Sequence, residues 1–156
     1  MPASLDLSNL TMCGTYILVL KTTSDQYIRI GKLGVFDFDK GFYAYIGSAF
    51  GTGGLAARIN HHLHSVANPR WHLDYLRGLM GIEEVWLTKG KSKHEHDWAR
   101  ILSMQEGVHI PVMGFGASDC SCDAHFFKFS KQPSSEQFRI RINDCDSNKL
   151  RCLKIS

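Results

Sequence analysis

Thr15-Tyr16-Ile17-Leu18-Val19-Leu20 is a dense run of β-branched, aromatic and aliphatic residues, which is typical of a buried strand. Residues 27–30 (Tyr-Ile-Arg-Ile) alternate in polarity and predict a hairpin partner for it. Residues 42–46 predict a third strand, which follows the turn signal Asp39-Lys40-Gly41. We therefore expect these strands to form a small antiparallel meander.

Three helices are predicted after these strands. In the first, over residues 54–64, the apolar residues Leu55, Ile59 and Leu63 recur every fourth position. The second spans residues 71–79 and the third residues 92–104, where Ser92 and Glu95 have the spacing of a capping box. Residues 82–87, between the last two helices, predict another strand. The predicted fold class is α/β (α+β), with a small central antiparallel sheet flanked by three helices.

The chain divides into a short N-terminal segment (1–12), a single domain (13–129) and a C-terminal extension (130–156). Residues 125–129 predict an edge strand, and the polar residues 132–137 predict a linker. Residues 138–142 fit either one more strand or a loosely held tail.

Composition limits the possible classes of protein. A chain of 156 residues with 44% hydrophobic content suits one globular domain, and a net charge of +3 is compatible with a nucleic-acid partner without requiring one. No apolar run approaches the roughly 20 residues that span a bilayer, and the N-terminus has no signal-peptide pattern. Five cysteines, an odd number, argue against a disulfide framework. We expect a soluble cytoplasmic protein without a membrane association.

Two polar residues on the first predicted helix suggest chemistry. Arg58 and His62 lie four residues apart and therefore share a face, which flanks the apolar stripe and places both side chains at the rim of a cleft over the sheet. A guanidinium can grip two phosphate oxygens, and an imidazole can relay a proton near neutral pH. The alternative is an ordinary solvated helix surface.

Glu95 is the candidate metal ligand. Helical spacing aligns it with the buried residues Trp98 and Leu102, where a carboxylate is costly unless it has a partner such as a metal ion. The alternative is a helix-capping role. Asp97 is the rival ligand, but its spacing to Arg100 predicts a surface salt bridge instead.

The strand residues allow two interpretations. Tyr16 and Tyr45 are either core tyrosines or site phenols, and Gly47 is either a turn or a point where the backbone closely approaches a phosphate. Ser48 can donate a hydrogen bond. The glycine-bearing segment 51–54 precedes a helix, where free N–H groups favour anions.

Together, Gly14-Thr15-Tyr16, Tyr45-Ile46-Gly47-Ser48, and Arg58 with His62 resemble the GIY-YIG nuclease superfamily. The wider sequence resembles a branch of which some members are fused to endonuclease III. The resemblance covers about residues 13–129 and is carried by segments 14–18, 29–34, 42–58, 71–75, 95–100 and 114–122.

The resemblance implies a metal-dependent endonuclease that cleaves nucleic acid, with DNA as the expected substrate and repair as its context. Tyr16 would activate the attacking water, Tyr45 would orient the site, Arg58 would neutralise the phosphate, and His62 would lie beside the nucleophile. Glu95 would bind Mg²⁺ or Mn²⁺. Gly47, Ser48 and His72 would contact the substrate.

The chain also departs from the superfamily pattern. Twenty-eight residues lie between Tyr16 and Tyr45, more than in typical members, so residues 27–37 resemble an inserted hairpin that could narrow or cover the groove. An asparagine that many members place after the metal-binding helix has no clear counterpart, with Asp119 as its possible replacement. A nucleic-acid-binding module without catalysis is therefore the alternative function.

A second cluster comprises Cys120, Cys122 and His125, three soft ligands within six residues that could hold Zn²⁺. Candidates for a fourth ligand are Cys145, His109 and His72. The alternative is a pair of thiols and a histidine packed at the end of the sheet. If zinc binds, a zinc-binding interaction domain is a third possible function.

Overall fold

In a computed structural model of the chain, residues 6–64, 68–117, 122–142 and 150–155 are described. The described residues form eight strands: β1 (Gly14–Thr22), β2 (Gln26–Ile30), β3 (Gly34–Phe38), β4 (Gly41–Ala49), β5 (Gly81–Lys89), β6 (Val108–His109), β7 (Phe126–Phe129) and β8 (Arg151–Lys154). They also form three α-helices, α1 (Gly54–Leu63), α2 (Glu95–Ser103) and α3 (Ser135–Ile142). The α+β fold class predicted from the sequence is confirmed.

The central sheet has six strands in the order β6-β7-β4-β1-β5-β8, and each neighbouring pair is antiparallel. The predicted meander is wrong, because β1 pairs with β4 and β5, whereas β2 and β3 form a separate two-stranded sheet among the described strands. Every residue of β1 has a partner on β4, and this long register outcompetes pairing with the five-residue β2. The β2–β3 pairing confirms the hairpin predicted at residues 27–37.

Alternation along β1 builds a core on each face of the sheet. Tyr16, Leu18 and Leu20 belong to the cluster that includes α1 residues and the 3₁₀ turn His72–Tyr75. Ile17 and Val19 belong to the cluster under α2 and α3. Successive side chains of a strand point to opposite faces of the sheet. Both faces of β1 are buried, which explains why its apolar run has no polar interruption.

The second predicted helix, at 71–79, is wrong: only the 3₁₀ turn His72–Tyr75 forms there. The Asp74 carboxylate accepts hydrogen bonds from the backbone N–H groups of Arg70 and Trp71, which stabilises a short turn over a continuing helix. Leu76 is buried but Leu79 is exposed, so the apolar stripe expected for a helix does not continue to the end of the segment.

The third helix of the structure is instead α3, in a segment where we predicted a linker followed by a strand or a loosely held tail. Ser134 caps it, because its Oγ accepts a hydrogen bond from the N–H of Gln137 at 3.2 Å. Phe138 is buried against Trp86 and Trp98, with ring centroids 5.5 and 5.2 Å away. That aromatic packing overrides the weak local pattern of this segment.

Two smaller corrections concern element ends. Helix α2 begins at Glu95 with His94 as its N-cap, so the capping box predicted for Ser92 does not form. Strand β7 is not at the edge of the sheet, because the two-residue β6 pairs with its outer side. Within the described ranges, no helix has the length and apolar character needed to cross a bilayer.

Candidate functional site

A cavity of about 320 Å³ opens where β4 ends and α2 begins. Six residues predicted for the site line it: Tyr45, Gly47, Ser48, Arg58, His72 and Glu95. Its other lining residues are Arg70, Trp71, His96, Gly116, Ala117 and His125. None of the described lining residues comes from the β2–β3 hairpin, so the predicted narrowing of the groove by that hairpin is not seen.

Glu95 reaches this cavity although α2 packs on the face of the sheet opposite to α1. It is the first residue of the helix and lies beyond the end of the apolar stripe. Ser48 Oγ donates a hydrogen bond to Glu95 Oε2 at 2.5 Å, and His125 Nδ1 lies 2.7 Å from Oε1. Although α2 packs on one face of the sheet, its first residue thus places a carboxylate near the other face, which carries Tyr16 and Tyr45.

The half-buried Glu95 carboxylate is held in its ionised form. Burial alone would raise its pKa, but the hydrogen bonds from His125 and Ser48 outweigh this effect and lower the pKa. Asp97, by contrast, lies on the exposed side and faces Arg100 at 3.9 Å, which confirms the predicted surface salt bridge. The choice of Glu95 over Asp97 as the carboxylate at this site is therefore supported.

Tyr16 and His62 form a buried pair behind the cavity wall. The Tyr16 hydroxyl lies 2.8 Å from His62 Nε2, and both side chains are fully buried. The predicted position of His62 at the rim of a cleft is wrong, because the helix turns it toward the sheet, where its ring contacts Tyr45 and Trp71. Its Nδ1 has no hydrogen-bond partner among the described residues.

Burial fixes the protonation states of this pair. It lowers the pKa of His62 to about 3, with the Asp74 carboxylate opposing the shift, and raises the pKa of Tyr16 well above its usual value. At neutral pH the imidazole is uncharged, and in the tautomer that carries its proton on Nδ1, Nε2 accepts a hydrogen bond from the Tyr16 hydroxyl. The pair can therefore pass a proton from oxygen to nitrogen.

The lowered pKa predicts a specific acid sensitivity. Between its ordinary value of 6.5 and about 3, His62 binds a proton in the unfolded chain but not in the native one. The free energy of unfolding should therefore fall by about 1.4 kcal/mol per pH unit below 6.5, or about 2 kcal/mol at pH 5. Urea unfolding of the wild type at pH 7 and pH 5 measures this loss.

The matched variant for this prediction is His62→Gln, which cannot titrate. Burial also lowers the pKa of His72, so the wild type and the variant share that contribution, and the difference between their pH slopes belongs to His62. Equal slopes for the two proteins would contradict the native pKa of about 3.

Gly47 makes room for Tyr16. It lies within β4, opposite Tyr16 in the register with β1, so its interpretation as a turn is wrong. A Cβ at this position would overlap the ring and hydroxyl of Tyr16. A residue without a side chain therefore allows the phenol to cross the strand and meet His62.

Arg58 is stacked on an aromatic ring that we did not single out from the sequence. Its guanidinium carbon lies 4.2 Å from the centroid of Trp71, and that of Arg70 lies 5.5 Å from the same ring. The resemblance covers segment 71–75, and this was the signal that could have pointed to Trp71. Stacking orders the Arg58 side chain at the cavity, where its guanidinium contacts the Tyr16 hydroxyl and has further N–H groups that can bind an anion.

Asp74 organises the turn that carries Trp71 and His72. Its Oδ2 accepts from the Arg70 and Trp71 N–H groups at 2.8 and 3.0 Å, and its Oδ1 lies 3.0 Å from His61 Nε2. His72 Nδ1 in turn accepts from the N–H of Gly116 at 2.8 Å. The site therefore links α1, the 3₁₀ turn and the segment before β7.

The divalent cation implied by the resemblance can be tested against this donor set. Glu95 supplies one ionised carboxylate at an open cavity, with one close contact on each oxygen. Mg²⁺ keeps several waters and is held by one or two carboxylates together with substrate phosphate. The residues present therefore fit such an ion, and Glu95 would hold it.

The predicted zinc ligands are only partly described. Cys120 and Cys145 lie outside the described residues, as does Asp119. Cys122 and His125 do approach each other, but with His96 as the third member of the cluster, while His109 and His72 are not part of it. His96 was not among the predicted ligands, although it follows Glu95 directly.

Residues 15–146 match the sequence model of a family described as "Domain of unknown function DUF123". No curated protein matches the chain. No solved structure matches it either.

Proposed function

Since the chain belongs to the DUF123 family, a domain of unknown function, we propose that it is a GIY-YIG-type metal-dependent endonuclease that hydrolyses phosphodiester bonds, with DNA as substrate. One observation carries the proposal: Tyr45, Ser48, Arg58, His72 and Glu95 line one cavity, with the Tyr16–His62 pair directly behind it. These residues come from β1, β4, α1, α2 and the 3₁₀ turn. A purely structural role would not require polar side chains from five elements to meet.

The cavity contains the groups that phosphodiester hydrolysis needs. Arg58 binds the non-bridging oxygens of the scissile phosphate and stabilises the charge that grows on them. Ser48 and His72 also line the cavity and would hold the neighbouring parts of the sugar–phosphate chain. A divalent cation held by Glu95 supplies Lewis-acid stabilisation of the departing oxygen.

The Tyr16–His62 pair provides the proton path. As water attacks phosphorus, the Tyr16 oxygen takes one proton from that water while its own proton moves to His62 Nε2. The Asp74 carboxylate favours the imidazolium that forms, and its effect on the His62 pKa has this sign. Tyr16 is fully buried, so water can reach its oxygen only after a neighbouring side chain moves. Arg58 contacts Tyr16 and would uncover the hydroxyl when it turns toward a phosphate.

A cleavage assay tests the proposal. The purified protein with Mn²⁺ or Mg²⁺ should cut at least one member of a panel of branched, damaged and single-stranded DNA, and EDTA should stop the reaction. Glu95→Gln should abolish cleavage, because the amide keeps the shape of the side chain but loses the charge that binds the ion. Asp97→Asn, two residues away and exposed, should cleave like the wild type.

Two results would count against the nuclease. If the wild-type protein binds the panel without cutting any member under both metals, the chain is a binding module instead. Such binding should weaken by about 0.9 log units per log unit of salt for each phosphate contacted. If neither binding nor cleavage of DNA is detected, and cleavage of RNA is absent too, both functions are overturned.

A further inference from the structure

His96, Cys122 and His125 form a cluster of ligand atoms at the start of α2. One ligand atom from each of the three side chains lies within 4.8 Å of the other two. His96 Nδ1 is 3.1 Å from Cys122 Sγ, and the two imidazole rings are 6.0 Å apart at 88°. His96 and Cys122 are 26 residues apart in the chain, so the fold and not local sequence brings them together.

The spacing of these atoms suits a tetrahedral ion. With Zn–N near 2.0–2.1 Å and Zn–S near 2.3 Å, nitrogen and sulfur ligands lie about 3.5 Å apart. The distance from His96 Nδ1 to Cys122 Sγ is 3.1 Å, slightly below this value, and all the ligand atoms lie within 4.8 Å of one another. Small side-chain adjustments would therefore complete the tetrahedral geometry. A thiolate with two imidazoles selects zinc, whereas Mg²⁺ requires oxygen ligands.

His125 also has the support that metal-binding histidines usually have. Its side chain is 2% exposed, and its Nδ1 faces Glu95 Oε1 at 2.7 Å. A carboxylate on one ring nitrogen fixes the tautomer and makes the other nitrogen a stronger ligand. In this arrangement Nε2 of His125 is the atom that binds the ion.

We propose that His96, Cys122 and His125 supply three ligands to a Zn²⁺ ion, with Glu95 orienting His125 from behind. The ion joins the first turn of α2 to the segment that leads into β7. Because Glu95 contacts His125 directly, the zinc fixes the position of the carboxylate that lines the neighbouring cavity. The proposal does not depend on nuclease activity, since binding of the ion can be measured in the full chain without any nucleic acid.

Metal analysis of the full-length protein tests the proposal. Protein purified without chelator should contain about one zinc per chain, and apoprotein titrated with Co²⁺ should develop a thiolate-to-cobalt charge-transfer band in the near ultraviolet. Cys122→Ser should abolish that band, and His96→Gln should lower zinc affinity by at least about tenfold. His96 is exposed, so its replacement leaves the folded core intact and keeps the test usable if the cysteine variant is unstable.

Cys13→Ser is the matched control, because this thiol is partly buried outside the cluster and contacts the carbonyl of Gly90. It should retain full zinc content and the cobalt band. Zinc well below one per chain in the wild type would overturn the proposal. So would zinc affinity that is unchanged in both His96→Gln and Cys122→Ser, whatever the result of the cleavage assay.

Discussion

Tyr16→Phe is expected to lower the rate of DNA cleavage by about 10²–10⁴-fold, the range that a positioned proton-transfer group contributes. The substitution removes one oxygen and leaves the ring that fills the space over Gly47. It breaks the 2.8 Å contact with His62 and with it the proposed path for the proton of the attacking water. Single-turnover cleavage at saturating Mn²⁺ measures the effect on the chemical step.

The control for this variant is Tyr43→Phe. Tyr43 is also a buried tyrosine on the sheet, but its hydroxyl donates to the backbone oxygen of Asp39 at 2.6 Å, and it is not among the cavity residues. Both variants lose one buried hydrogen bond, worth about 1 kcal/mol of stability. If both cleave at the wild-type rate while remaining folded, Tyr16 has no part in the reaction.

Arg58→Ala is expected to lower kcat by about 10²–10³-fold, since in the proposed reaction it removes the donor that stabilises the developing charge of the phosphate. Arg58→Lys should recover only part of this loss, because an ammonium group lacks the planar fork that binds two oxygens and stacks on Trp71. The alanine variant should also reduce the slope of log K against log salt concentration for DNA binding by about 0.9, the amount expected for one lost phosphate contact. Steady-state kinetics and binding at several salt concentrations separate the two effects.

Arg29→Ala is the control for lost charge. Arg29 is exposed on β2 and does not line the cavity, so its removal lowers the net charge equally without touching the site. A loss of cleavage that is the same in Arg29→Ala and Arg58→Ala would mean that general attraction to DNA, and not contact with the scissile phosphate, explains the role of Arg58.

Much of the site could be predicted because its residues lie in segments with strong local patterns. Strand β1 and helix α1 follow from hydrophobic periodicity, and the resemblance then pointed to Tyr45, Arg58 and Glu95, which do meet at one cavity. The errors occur where tertiary contacts decide. Helix α3 depends on Phe138 packing between two tryptophans, and the segment after Trp71 depends on the Asp74 carboxylate.

Partners distant in the chain were beyond the reach of the sequence. The contact between Glu95 and His125 joins residues from α2 and the start of β7, and His96 meets Cys122 only because the same elements converge. The inward turn of His62 was missed for a related reason. Spacing of four residues places two side chains on one face of a helix, but the packing of that helix decides how deeply each is buried.

The amino-acid sequence by itself determined strands β1, β2, β4, β5 and β7, the first helix and the chemical types available to the site, because periodicity and turn residues act over a few positions. Only the tertiary structure decided which strands pair, that the Tyr16 ring occupies the space beside Gly47, and that Glu95 contacts Ser48 and His125. Those contacts depend on register and packing between distant segments, and no local pattern encodes them.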